Sequence, residues 1–148
     1  MKTTYVTASG IIVFRNNNNN PEVLGLIALP KHRKRSKGRY DVPKGMIDEG
    51  ETVIQSAFRE CFEETHLEPR LISKVPITYG HLVLWLGEVM PDDKIILGKN
   101  PYTGKIEHEG YEWLSIKTLK NNCLNYLRPF IIDAEKIIWD YFNIWREK

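Results

Sequence analysis

Glu60, Glu63 and Glu64 fall within about one and a half turns of a helix in the stretch from residue 45 to residue 67. At 3.6 residues per turn their carboxylates project to one side. Like charges three and four apart weaken a helix by roughly 0.2–0.5 kcal/mol per pair. A chain that keeps three of them together has something positive to put there. Oxygen-only ligand sets suit hard divalent cations such as Mg²⁺ or Mn²⁺. The rest of the stretch is organised around the acids. Thr52 and Gln55 form a capping box, T-x-x-Q. Val53, Ile54, Ala57, Phe58 and Cys61 recur at helical spacing on one apolar face. His66 sits where the chain must leave the helix, a left-handed position that Gly usually takes and His tolerates. A solvated acidic face is the plain alternative, and this organisation argues against it.

Composition sets loose bounds. The 148 residues suit one domain, 1–148, long enough to bury a core. Net charge is +2 with histidines neutral, which gives no global argument for nucleic acid or membrane. The apolar run Gly10–Phe14 is far too short to span a bilayer and lacks the layout of a secretory signal. Cys61 and Cys123 are isolated, so both read as reduced thiols in a cytoplasmic protein, Cys61 as a small core residue.

Along the chain the periodicities predict a mixed α/β order. Thr4–Phe14 and Val23–Leu29 read as strands of a hairpin, joined by a long polar loop around the five-asparagine tract Asn16–Asn20. Lys31–Arg39 holds six Lys or Arg in nine residues. A solvated flexible loop and an electrostatic collar for polyphosphate both fit that run, with a nuclear-targeting or nucleic-acid role as a third option. Leu71–Tyr79 and Leu82–Met90 read as strands meeting at Gly80-His81, and Pro91–Thr103 as a loop. Ile106–Leu114 reads as a strand that puts Glu107 and Glu109 on one face by period two. Leu119–Lys148 closes with a helix starting near Pro129, its apolar face formed by Ile131, Ala134, Ile138, Phe142 and Trp145. Helices packed on both faces of a mixed sheet, an α/β/α sandwich, suit this order.

Residues 45–67 resemble the signature of the Nudix hydrolases, G-x5-E-x7-R-E-U-x-E-E-x-G-U, where U is a bulky aliphatic residue. Gly45, Glu51, Arg59, Glu60, Glu63, Glu64 and Leu67 match it. Cys61 replaces the aliphatic residue before the paired glutamates, and His66 replaces the Gly. The segments Ala8–Phe14, Val42–Gly45 and His108–Leu114 look like the diadenosine polyphosphate hydrolase branch. The resemblance implies a Nudix-type α/β/α sandwich with a mixed sheet. It further implies hydrolysis of a nucleoside diphosphate linked to another moiety, with Mg²⁺ or Mn²⁺ as cofactor. By position, Glu60, Glu63 and Glu64 would hold the metal together with the Lys44 backbone carbonyl, and Gly45, Glu51 and Arg59 would support them.

Pyrophosphate linkages repel an attacking oxygen until cations shield them, and a carboxylate must then accept a proton from the water. Glu109 is the first candidate for that base, Glu107 the second, and a box glutamate remains open. Lys44, Arg33, Lys34 and Arg39 are the candidates for holding the substrate's phosphates. Diadenosine polyphosphates lead the substrate expectation, with ADP-ribose, FAD, capped RNA and diphosphoinositol polyphosphates open beside them. Tyr5, Tyr79, His81, Trp85 and Tyr102 are possible base-stacking residues, each with a core or surface alternative. The expected partner is a nucleotide or polyphosphate small molecule, with no membrane and no nucleic acid except capped RNA. A catalytically inactive nucleotide-binding domain is the non-enzyme alternative, and the complete set of helix acids argues for the enzyme. The sequence gives no oligomeric state.

Overall fold

A computed structural model describes the backbone of residues 5–146; the side chains of residues 36 and 144–146 fall outside that description. Strand β1 (Ala8–Asn17) leads into β2 (Asn20–Ala28). The expected long polar loop is instead a two-residue turn. Asn18 and Asn19 take φ of 52° and 70°, Asn17 faces Asn20 in register, and the Asn19 N–H donates to Asn16 Oδ1 at 2.8 Å. Two successive left-handed residues make the tight hairpin turn that matches strand twist, and Asn adopts that conformation more readily than other side chains. The tract is therefore strand and turn. The expected start at Thr4 lies outside the described residues, and the strand begins at Ala8.

The basic run also departs from the flexible-loop option. Pro30–Ser36 forms helix α1, with Pro in the first turn, where its missing N–H is harmless. Arg33, Lys34 and Arg35 occupy its last turn, which suits the negative end of the helix dipole. Short strands β3 (Tyr40–Asp41) and β4 (Lys44–Met46) follow, then helix α2 (Val53–Thr65). The Thr52–Gln55 capping box is present with both bonds, and His66 ends the helix at φ 62°. The apolar face of α2 is narrower than expected. Ala57 and Cys61 are fully buried, Val53 and Phe58 are partly buried, and Ile54 is exposed.

Leu71–Tyr79 is not one strand. β5 (Arg70–Leu71) and β6 (Ile77–Tyr79) pair with different ends of β7 (Leu82–Val89). Pro76 cannot donate to a ladder, and Ser73 and Val75 hydrogen-bond each other into a turn. Gly80-His81 forms the expected tight turn, with Gly80 at φ 59°. After β8 (His108–Leu114) come helix α3 (Ile116–Asn122), a 3₁₀ turn (Asn125–Leu127) and helix α4 (Arg128–Arg146). The last of these starts beside Pro129 as expected, after two short elements the periodicity missed.

The strand path is β3-β2-β1-β7-β5, with β4 on β1, β6 on β7 and β8 on β2. β1 and β7 run parallel and the other pairs antiparallel, so the sheet is mixed. Alternation along β1 divides the core between the two faces. Ile12 and Phe14 pack with α3 and α4 residues such as Leu119, Phe130, Ile131, Ala134, Ile138 and Phe142. Ile11 and Val13 pack under α2 with Ala57, Cys61 and Trp85. Trp145, expected on the α4 face, lies outside the described side chains. Sheet between helices is the α/β/α sandwich. No helix among the described residues is long and apolar enough to cross a membrane.

Candidate active site

β4 and α2 lie side by side, and that contact brings the acids to the start of β1. The Lys44 N–H donates to Glu64 Oε2 at 2.8 Å. Glu60 lies against Gly45 so closely that a Cβ built there would stand 2.2 Å from the Glu60 carboxylate. Any side chain at that position would push the Glu60 carboxylate out of its place. Arg59 gathers the remaining acids. It grips Glu51 through Nε (2.6 Å) and Nη2 (3.0 Å), and its Nη2 also donates to the Met46 carbonyl at 3.0 Å. Its Nη1 lies 3.0 Å from Glu60 and 3.2 Å from Glu63. Hydrogen bonds from Arg59 hold the Glu51 carboxyl at about 2.

Glu64 is the most buried of the three acids, with 5% of its surface exposed. Burial pushes its pKa well up, and the negative charge of Asp41 pushes the same way. Burial also raises Glu60. Asp41 goes in the opposite direction. Burial works to raise it, but Lys44 and His108 outweigh that and hold it at about 2. Its Oδ2 lies 3.3 Å from Lys44 Nζ and 3.4 Å from His108 Nε2, and Oδ1 accepts from the Val42 N–H and the Tyr126 hydroxyl. His108 Nδ1 lies 3.6 Å from Glu64 Oε1, so the imidazole bridges two buried carboxylates.

These residues open onto a cleft of ≈450 Å³ lined by Lys31, His32, Asp41, Lys44, Glu64, Glu107 and His108, with Asn100, Thr103, Lys105 and Ile106 completing the wall. A second cavity, ≈630 Å³, shares Lys44 with the first and is lined by Gly45, Tyr79, His81, Tyr126 and Phe130. The Lys44 ammonium stands 5.3 Å above the Tyr126 ring at the junction. The charged cleft can hold phosphates and the aromatic cavity a flat apolar group.

Of the residues singled out in the sequence, Glu64 and Lys44 line the cleft, and Glu60 and Glu63 meet at Arg59 on its flank. Glu107 lines the cleft and accepts from Asn100 Nδ2 at 2.8 Å. Glu109 does not line it and pairs with Arg33 at 3.4 Å. The expected shared face of Glu107 and Glu109 fails for a local reason. β8 starts at His108, and Ala28 faces His108 while Ile27 faces Gly110, so Glu109 is the extra residue of a β-bulge. Lys34 and Arg39 are exposed outside the cleft, Arg39 lying over the Tyr40 ring. Tyr79 and His81 line the aromatic cavity, Trp85 is core, and Tyr5 and Tyr102 are exposed.

Sequence reasoning missed Asp41, His108 and Tyr126. His108 stands inside a segment quoted for the resemblance and Asp41 immediately before another, so their position was a signal. Tyr126 had none, because its contact with Asp41 spans 85 residues of chain.

An all-carboxylate donor set fits a hard divalent cation, and Glu60 and Glu63 already converge on one positive charge at Arg59 Nη1. Gly45 clears the space that the Glu60 carboxylate fills. Among the described residues no group of three His, Cys, Asp or Glu is arranged to hold a metal ion, and Glu64 is engaged with the Lys44 N–H and beside His108.

Comparison with known proteins follows the same lines. An RNA pyrophosphohydrolase of Psychrobacter sp. is 27% identical over 106 residues, 72% of this chain and 57% of that protein. One from Pseudoalteromonas atlantica is 33% identical over 69 residues, 47% of this chain and 37% of that protein. The chain thus spans well under two thirds of the length of these relatives. Among solved structures, a C. elegans Ap4A hydrolase binary complex superposes with a TM-score of 0.68 at 22% identity, covering 90% of this chain and 98% of that one. That likeness concerns the fold. Nudix hydrolases generally use divalent metal ions. The NUDIX domain profile matches residues 4–132, most of the sequence and all the acids described above, so the chain belongs to the NUDIX domain family.

Proposed function

We propose that this chain is a cytoplasmic, divalent-metal-dependent pyrophosphohydrolase acting on nucleoside diphosphates linked to another moiety, with dinucleoside polyphosphates as favoured substrates. The observation that carries the reading is the junction at Lys44, where a cleft rich in charge meets an aromatic cavity. A substrate with phosphates at its middle and a base at its end suits that pair. The likeness to an Ap4A hydrolase fold supports the same substrate class. Free Cys61 and Cys123 agree with a reducing compartment.

Glu60, Glu63 and Glu64, with the Lys44 carbonyl, would hold Mg²⁺ or Mn²⁺. The bound ion would supply charge neutralisation at the phosphate oxygens and a lower pKa for the attacking water. The chain's own residues do the rest. Lys44, Lys31 and Lys105 face the phosphates across the cleft. Arg59 and Glu51 keep the acid side of the helix in place. Glu107, turned into the cleft and steadied by Asn100, accepts the proton from water. Glu109, engaged with Arg33 outside the cleft, yields that role to it.

RNA 5′ ends form a second substrate reading, supported by the two RNA pyrophosphohydrolase relatives and by the cationic α1 at the cleft. The test is product release from dinucleoside polyphosphates, ADP-ribose and 5′-triphosphorylated RNA, each with Mg²⁺ or Mn²⁺ and with EDTA. Turnover that EDTA abolishes is the expected result. Tight nucleotide binding without turnover would return the chain to the non-enzyme alternative.

A further inference from the structure

The cations of α1 do not stop at the cleft. Lys31 lines it, and Lys34 and Arg35 follow at three and four residues, on the same side of the helix. At 1.5 Å per residue the stripe runs about 6 Å along the helix from Lys31. Lys34 and Arg35 are exposed and make no ion pair among the described residues, whereas Arg33, on another side, is tied to Glu109. Burial and then the charge of Lys31 lower the His32 pKa, with Arg35 contributing in the same direction. The loop carrying the cleft residues Asn100, Thr103 and Lys105 presents Tyr102, their neighbour in the chain, at 82% exposure. Its backbone N–H is fixed by Asn100 Oδ1 at 2.8 Å, so the loop is braced while the ring is offered to solvent.

A small nucleotide whose phosphates fill the cleft has no use for charges beyond its mouth. A strand has. We propose that the Lys31–Lys34–Arg35 stripe and Tyr102 form a docking surface for the first nucleotides of a single-stranded RNA whose 5′ phosphates enter the cleft. The cations follow the strand's phosphates, and the exposed ring stacks on a base, the pairing by which single strands are held without sequence readout. RNA is the polynucleotide whose 5′ end carries a pyrophosphate linkage, so the surface and the cleft would act on one molecule. The inference rests on the pyrophosphohydrolase reading and adds the substrate's leaving portion to it.

The test separates strand binding from hydrolysis. Binding of a fluorescent ten-nucleotide RNA with a 5′ hydroxyl is measured by anisotropy against salt, beside the KM for a dinucleoside tetraphosphate. Lys34→Gln with Arg35→Gln should weaken RNA binding about tenfold at low salt and flatten the log–log salt slope by about 1.4, at about 0.7 per lost phosphate contact. The KM of the small substrate should stay within twofold. Tyr102→Ala should weaken RNA binding several-fold with the salt slope unchanged. Unaltered RNA binding in both variants, or a parallel rise in the small-substrate KM, overturns the proposal. So does loss of inorganic polyphosphate binding with RNA binding intact. A wild-type protein that binds the strand yet hydrolyses no substrate would overturn the pyrophosphohydrolase reading and leave the surface standing.

Discussion

Arg33 Nη2 lies 3.4 Å from Glu109 Oε1, and this contact turns Glu109 to the outside of the cleft while Glu107, two residues earlier, faces in. The bulge at Glu109 is what separates them. A proton acceptor must come within hydrogen-bond reach of the attacking water, roughly 3 Å. Glu107→Gln should therefore lower kcat by about 100-fold or more with KM little changed, the pattern of a contact made in the transition state. Glu109→Gln should change kcat less than about threefold. Steady-state kinetics of the two variants on one substrate checks this, and reversed severities would move the base back to Glu109.

Glu64 combines deep burial with a carboxyl pushed well above the usual range. A carboxylate raised in the folded state loses stability as pH rises through its folded pKa. Glu64→Gln should therefore melt higher than wild type in the metal-free protein at pH 7 and lose turnover by orders of magnitude. Melting curves with and without Mg²⁺ check both halves: metal should raise the wild-type midpoint and barely move the variant.

Asp41 runs the other way. Its carboxyl, 3.8 ordinarily, is held at about 2, so its contribution is present above about pH 4 and lost as pH falls through about 2. The gap corresponds to about 2 kcal/mol at about 1.4 kcal/mol per unit. Asp41→Asn should be less stable by about that much at pH 7, with the difference vanishing near pH 2. Urea unfolding at the two pH values measures it.

Much of this was legible in the sequence, because local rules decided it. The capping box, the left-handed His66 and the buried Cys61 all depend on neighbours within one turn, and the structure has each of them. The failures have other physical causes. Period two cannot foresee a bulge set by pairing with Ile27 and Ala28. Composition read the asparagines as a loop, although flanking strands long enough to pair leave only Asn18 and Asn19 for the turn. The basic run became a helix through a Pro in its first turn and a left-handed Lys37 at its end. Asp41, His108 and Tyr126 come from three separate stretches, and only the folded sheet brings them together.

The hairpin can be tested alone. Asn18→Ala with Asn19→Ala forces alanine into two left-handed positions, at about 1–2 kcal/mol each relative to ordinary backbone, less what Asn itself already bears. The double variant should lose about 1–2 kcal/mol in urea unfolding. Asn19→Gly should be neutral or slightly stabilising.

The most direct measurement is hydrolysis of a dinucleoside tetraphosphate with Mg²⁺, with EDTA, and with Glu64→Gln in place of the wild type. Metal-dependent cleavage by the wild type, absent with EDTA and reduced by orders of magnitude in Glu64→Gln, is the predicted result. Cleavage that neither EDTA nor Glu64→Gln reduces would contradict the assignment of the acidic helix as the catalytic centre.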